Sequence, residues 1–222
     1  VHALTFADPV LALDASTTQG SVALLLPSRV GGAPYERTVT LGVGADDVLF
    51  PAVTALLADA GLSVADVSAL VCGGGPGSFT SLRIAASLAK GLAHGARRPL
   101  YAVPSLLLAA ASLPPDAPAG RLCVHADALR GEQYALWVDR EADGRVSAAS
   151  ALTRVPLAQI EALGPSVAVQ AAPSAARLAW ALGSWRDAPV ALHSWEPDYG
   201  RKAEAQVKWE ATHGITLPTS AP

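Results

Sequence analysis

The amino-acid sequence predicts an α/β protein of two related halves, the second reduced, and three observations carry that expectation. Residues 10–111 read as three strands, a helix, a strand, a helix, a strand and a helix, an alternation that lays helices against a sheet. A stretch containing Pro114, Pro115, Pro118 and Gly120 then breaks the pattern and reads as a linker. Beyond it the order resumes in shorter form, with strands at 122–126, 133–139 and near 148–154, a helix near 157–163, a strand at 166–170 and a helix near 174–182. The halves are therefore expected at 1–113 and 114–222, with a terminal helix over 201–212 stopped by Gly214. Apolar residues make up 51% of the 222, enough to fill a real core.

In chain order, residues 10–14 form an apolar strand ending in Asp14, residues 15–20 turn, and residues 21–26 return as a second strand. Asp14 thus stands at the mouth of a hairpin whose turn carries Ser16, Thr17 and Thr18. The plain reading of these groups is that they satisfy turn amides. A third strand over 35–41 follows a Gly-Gly-Ala-Pro turn. Residues 46–60 read as a helix, with Val48, Ala52 and Leu56 near one face and Pro51 forcing a late start or a kink.

Next comes the stretch around which the chain is organised. A short apolar strand, 67–72, empties into Gly73, Gly74, Gly75 and a Gly-Pro-Gly turn that includes Gly77. Ser78 is a good N-cap for the helix that follows, and Gly91 and Gly95 weaken that helix near its end. At about 100° per residue, Leu82, Ala85, Ala86, Ala89 and Ala93 form one stripe of mostly methyl-sized side chains, and Ile84, Leu88 and Leu92 form another. Arg83, Ser87, Lys90 and His94 take the polar remainder. Two stripes imply burial on two sides, so the small stripe, with the 48–60 helix, is expected to meet another helix at a protein interface. A strand over 99–103 and a helix from Pro104 to 111 complete the first half.

The glycine run admits two readings. It is a strand-to-helix turn whose glycines let the backbone pack closely, or it is an anion cradle at a helix N-terminus. It is not a Walker loop, because Gly77 is followed by Ser78 and Phe79, and Phe79 and Thr80 break the dinucleotide spacing.

Bulk properties exclude other classes. A formal charge of −3 gives no basic field for a phosphate backbone, so strong direct binding of nucleic acid is not expected. Cys72 and Cys123 lie in separate expected strands without metal spacing, as free buried thiols of a cytoplasmic protein. No apolar run approaches the length of a membrane helix. The five histidines show no pair at helical ligand spacing, and no Gly-x-Ser-x-Gly elbow surrounds Ser78 or Ser81.

The run GGGPGSFTSLRIAASLAKGLA with the downstream PLYAVPSLLLAA resembles the signature of the TsaB (YeaZ) family of bacterial tRNA threonylcarbamoyladenosine-biosynthesis proteins. LALDASTTQGSVALL, LLADAGLSVADVSALVCG and HADALRGEQYALWV resemble it too, so the likeness covers most of the first half and, more weakly, the second. The resemblance implies an actin-like ATPase (ASKHA, ribonuclease H-like) fold. It also implies a non-catalytic partner of TsaD, required for the modification of tRNAs that read codons beginning with A. By the same resemblance the partners are TsaD as a heterodimer, TsaE through the TsaB–TsaD complex, and a second copy when the chain is alone. In TsaD a metal-binding pair of histidines four residues apart falls where this chain has Ser105 and Ala109, neither of which ligates a metal as imidazole does. No catalytic residue, metal or cofactor is therefore expected.

Asp14, Ser16, Thr17, Thr18 and Asp127 occupy the places of the superfamily's phosphate loops, as a relic or a working version. The stretch 167–174 lacks the glycine pair that seats adenosine there, having Ala171, Ala172 and Pro173 instead. Two alternatives stay open: an ATP-dependent kinase-like enzyme of the same fold, and a homodimeric assembly or regulatory module.

Overall fold

The computed structural model describes residues 3–26, 35–41, 48–128, 130–160, 162, 164, 166–168, 173–200, 204–214 and 216. The expected turn at 31–34, the helix start at 46–47, Ala171 and Ala172, and residues 201–203 lie outside them.

The first half is a five-stranded sheet with the order β3-β2-β1-β4-β5. Its strands are β1 (Val10–Asp14), β2 (Gln19–Leu25), β3 (Tyr35–Thr40), β4 (Ala69–Gly73) and β5 (Leu100–Val103). β1 pairs antiparallel with β2 and parallel with β4, and β4 pairs parallel with β5. Period-2 alternation sorts the side chains cleanly. Leu11, Leu13, Val22, Leu24, Leu70, Cys72 and Leu100 face one core, and Val10, Ala12, Ala23, Leu25, Val71 and Val103 face another. Because both faces are covered, β1 and β4 read as unbroken apolar runs.

The first core is closed by α1 (Leu49–Asp59) and α2 (Phe79–Ala96). The second is closed by α3 (Ser105–Ala111), every residue of which is buried. On the far side of α3 lies the second sheet, of order β10-β6-β7-β8-β11 with β9 paired to β7. It comprises β6 (Gly120–Asp127), β7 (Glu132–Arg140), β8 (Val146–Ala148), β9 (Thr153–Pro156), β10 (Ser166–Ala168) and β11 (Ala181–Leu182). Leu122, Val124, Leu136, Val138 and Val146 meet Leu106, Leu107 and Leu108 in the same core as β1 and β4, so the halves share their interior. The buried Arg140 fastens the linker to β7, donating from Nη1 to Ala117 O at 2.7 Å and from Nη2 to Pro114 O at 3.1 Å.

The repetition is legible as a hairpin plus a parallel neighbour: β1, β2 and β4 correspond to β6, β7 and β10, with β10 parallel to β6. Several expected elements differ in detail. The single strand near 148–154 is two, β8 and β9, separated by residues 149–152. Of the helix near 157–163 the described residues give one turn, α4 (Leu157–Ile160), and the helix at 174–182 is a 3-10 segment, Ala175–Trp180, running into β11. Trp209, on α5 (Glu204–His213), is 39% exposed and stacks on His213. The boundary at 113/114 separates the sheets but not the whole chain, because residues 190–199 return to the first half. There Val190 N–H donates to Leu100 O at 2.8 Å, and Leu192 and Trp195 pack on the α1/α2 core.

One expectation about α2 is corrected. The helix runs Phe79–Ala96 through Gly91 and Gly95, and its C-cap Arg97 has a left-handed φ of 54° that lets the N–H of Arg98 return to Ala93 O. The stripe Leu82, Ala85, Ala86, Ala89 and Ala93 is wholly buried, with Ala85, Ala89 and Ala93 against β1 and β4; Ala52 and Leu56 of α1 are buried in the same core, and Val48 is half-buried. Small residues here bring α2 close to its own sheet, so they form no free surface. Ser87, Gly91 and Gly95 face outward. Accordingly Ala89→Leu should overpack the core and destabilise by about 1–3 kcal/mol, whereas Ser87→Leu should stay within about 0.5 kcal/mol. Urea unfolding followed by circular dichroism reads both, and equal losses would contradict the placement.

Candidate functional site

Parallel pairing sets the candidate site. β1 and β4 run side by side with Leu13 opposite Cys72, so Asp14 and Gly73 end their strands at one level. Asp14 is 1% exposed. Its Oδ1 accepts hydrogen bonds from the Ser16 amide at 2.8 Å and from the Ser16 hydroxyl at 2.7 Å. Its Oδ2 is buried and accepts no well-formed hydrogen bond. Burial pushes the carboxyl above its usual range, opposed by the nearby Ser105 hydroxyl and then by the Ser16 amide and hydroxyl.

Gly73 has to be glycine, since a Cβ there would overlap Asp14 Oδ2 and come within 2.9 Å of Ser105 Oγ. Gly77 has the same constraint against the Ser16 backbone, to which Ser78 N–H donates at 2.8 Å. Gly75 has a φ of +88°, and a Cβ on it would overlap the carbonyl of Asp198.

The loop's polar groups are turned inward. Gly74 N–H donates to Val103 O at 2.7 Å, and Gly75 N–H donates to Ser105 Oγ at 3.0 Å. Gly75 O accepts from Ser105 N–H and Gly74 O from Asp198 N–H, each at 2.8 Å. The glycines therefore serve close packing, and these amides are already paired where an anion cradle would need them free. Ser78 occupies the N-cap position of α2 without a side-chain cap bond, its hydroxyl lying 3.0 Å from that of Ser81.

The remaining sequence candidates separate. Thr17 Oγ1 donates to Gln19 O and accepts from Gln19 N–H, a self-contained turn, and Thr18 is exposed. Asp127 is exposed at the end of β6 opposite Gln133, where the tight turn carries Arg130 and Gly131 at φ 57° and 78°. Ser105 and Ala109 are both buried. A hydroxyl bonded to Gly75 and a methyl group do not fit a metal, and among the described residues no group of three His, Cys, Asp or Glu side chains could hold one. Cys72 is fully buried, and burial followed by the Asp14 charge holds its thiol far above the usual range, which makes it inert.

Sequence reasoning missed the part played by residues 195–200, which lie along α2 and over the glycine loop. Tyr199 meets Phe79 with ring centroids 4.5 Å apart, and Lys90 reaches Glu196 at 3.2 Å. Pro197 and Gly200 were the available signal, as turn formers beside two aromatics. Also missed was Glu36, whose Oε1 accepts from Ser21 of β2 at 2.6 Å and from Ser174 at 2.7 Å, joining the halves.

Comparison with known proteins bears on this geometry. Residues 46–163 match the family model described as TsaD: tRNA N6-adenosine threonylcarbamoyltransferase. The tRNA threonylcarbamoyladenosine biosynthesis protein TsaB of Escherichia coli is 35% identical over 138 residues, which cover 60% of this chain and 55% of that protein. For the Haemophilus influenzae protein of the same name the chain likewise spans about half the length, 54%. TsaB of Bacillus subtilis is 32% identical over 230 residues, covering 90% of this chain and 97% of that one. The solved structure of YeaZ from Pseudomonas aeruginosa superposes with a TM-score of 0.73 at 27% identity, over 86% of this chain and 99% of that one. On these grounds the fold is the actin-like, ribonuclease H-like one, and the chain belongs to the TsaB (YeaZ) family.

Proposed function

We propose that the chain is a non-catalytic partner of TsaD, required for the threonylcarbamoyladenosine modification of tRNAs reading codons that begin with A. The observation that carries this reading is Ser105. The position where the catalytic relative would present a metal-binding imidazole holds a buried hydroxyl that orders the glycine loop. The names of the relatives support the pathway, and the charge of −3 supports leaving the tRNA contact to a partner. TsaD binds as a heterodimer, TsaE joins through that complex, the free chain pairs with itself, and all of this takes place in the cytoplasm.

The partner surface belongs to the outward sides of α1 and α2, not to the buried stripe. Phe50 is 53% exposed, Ile84 and Leu88 are half-buried, and Gly91 faces open space with nothing within 4 Å of a Cβ. Small and apolar groups together let a second helix approach closely.

A second reading, retained nucleotide or cation binding, is favoured by one observation, the unpartnered Oδ2 of Asp14. A buried carboxyl with a raised pKa binds its proton more tightly folded than unfolded, so its stabilising contribution is complete below the unfolded value and is lost as pH rises through the folded one.

Three outcomes are expected. Purified chain, TsaD, TsaE and threonylcarbamoyl-adenylate should together modify tRNA, while omission of this chain or of TsaD abolishes product. Modification by this chain and the adenylate alone would overturn the assignment. Leu88→Arg should remain folded by circular dichroism yet run as a monomer and fail to co-elute with TsaD; a variant that still dimerises and still binds TsaD removes α2 from the interface. Asp14→Asn should raise the melting temperature at pH 7 by about 2–4 °C, the shift that ~1 kcal/mol makes in a chain of this size. That gain should shrink toward pH 4, and a lower melting temperature at pH 7 combined with lost MgATP binding in calorimetry would favour the nucleotide reading.

A further inference from the structure

Residues 195–200 touch three separate parts of the molecule. On the first half, Tyr199 lies against Phe79, Glu196 Oε1 accepts from Lys90 Nζ at 3.2 Å, and Lys90 stands 5.6 Å over the Trp195 ring. Phe79 and Lys90 are eleven residues apart and therefore nearly superimposed on the helical wheel, so the segment runs antiparallel along one flank of α2. At the glycine loop, Asp198 N–H donates to Gly74 O at 2.8 Å, and Asp198 O fills the space a side chain on Gly75 would need. On the second half, Tyr134 Oη of β7 donates to Tyr199 O at 3.3 Å, and its ring lies where a Cβ on Gly200 would fall.

The segment is also braced internally. Tyr199 Oη donates to Glu196 Oε2 at 3.1 Å, Gly200 N–H donates to Asp198 Oδ1 at 2.7 Å, and Pro197 is buried. Two glycines without side chains, Gly75 on one side and Gly200 on the other, are what allow so close a fit.

We propose that residues 195–200 form a clasp that couples α2 and the glycine loop of the first half to β7 of the second, so that loosening the clasp at one half loosens the other. Phe79 and Tyr134 both contact Tyr199, Phe79 through the ring and Tyr134 through the backbone carbonyl. A disturbance of α2 at Phe79 therefore has a physical route to β7 through one residue. The proposal concerns the coupling inside this chain and stands whether or not TsaD is the partner.

Amide hydrogen exchange on the full chain tests it, because local opening is read residue by residue. In Phe79→Ala, exchange should rise about tenfold or more at residues 132–136 of β7 as well as in α2, while β1 and β2 keep their protection. Gly200→Ala should do the converse, raising exchange at residues 74–83 from the second-half side. Tyr199→Phe keeps the ring and the carbonyl and should leave both regions within about twofold of the parent. Exchange in Phe79→Ala that rises in α2 alone, or that rises equally everywhere including β1, overturns the coupling.

Discussion

Gly73 has no side chain, and the carboxyl of Asp14 lies where one would be. Much of the first half follows from that exclusion. Parallel register brings the ends of β1 and β4 to the same height, and a buried acid is admitted there because its neighbour presents bare backbone. The Ser16 turn then supplies two donors to one oxygen, and Gly77 permits the next turn of chain to lie on Ser16. The glycine loop in turn is tied to the start of α3 through Ser105. A side chain at Gly73 would move the loop, and with it the N-terminus of α2.

β1 and β4 were legible because they are buried on both faces and bounded by turn formers, which fixes their extent within a residue or two. The long helix was legible too, but not the destination of its small stripe. Periodicity shows that Ala85, Ala89 and Ala93 share a face; it carries no information on whether a sheet or a second protein meets that face. The same limit hid the glycine loop's hydrogen bonds. Which carbonyl receives Gly74 N–H depends on β5, thirty residues away, and which hydroxyl receives Gly75 N–H depends on the first residue of α3. In the second half the elements are two to six residues long around β8 to β11, too short for a period to declare itself. Residues 195–200 gave the weakest signal, being an irregular segment whose order comes from distant partners.

The two halves differ in how they treat α3. For the first sheet α3 is the cover of one face; for the second it supplies the α-helical part of the shared core, since Ile160 of α4 lies in a separate small cluster and the Ala175–Trp180 segment is 3-10. Reduction of the second half therefore did not leave an independent unit, because its inner face depends on a helix encoded before the linker. Glu36 adds a polar tie across the same junction through Ser174, and Arg140 holds the linker on β7. The two halves thus share one interior.

That shared interior bears on the proposed role. The Gly74 and Gly75 amides face inward, and residues 198–200 lie between the glycine loop and Tyr134. Under the proposed role the chain needs an outer surface whose shape does not depend on a bound ligand. α2 fits that role because its small residues are committed to the sheet, which holds the helix close, while Ser87 and Gly91 are exposed and Ile84 and Leu88 lie half-buried at the edge of the same core. The stripe that looked like an interface is thus committed to the sheet, and under the proposed role it sets the position of the outward residues without touching a partner itself.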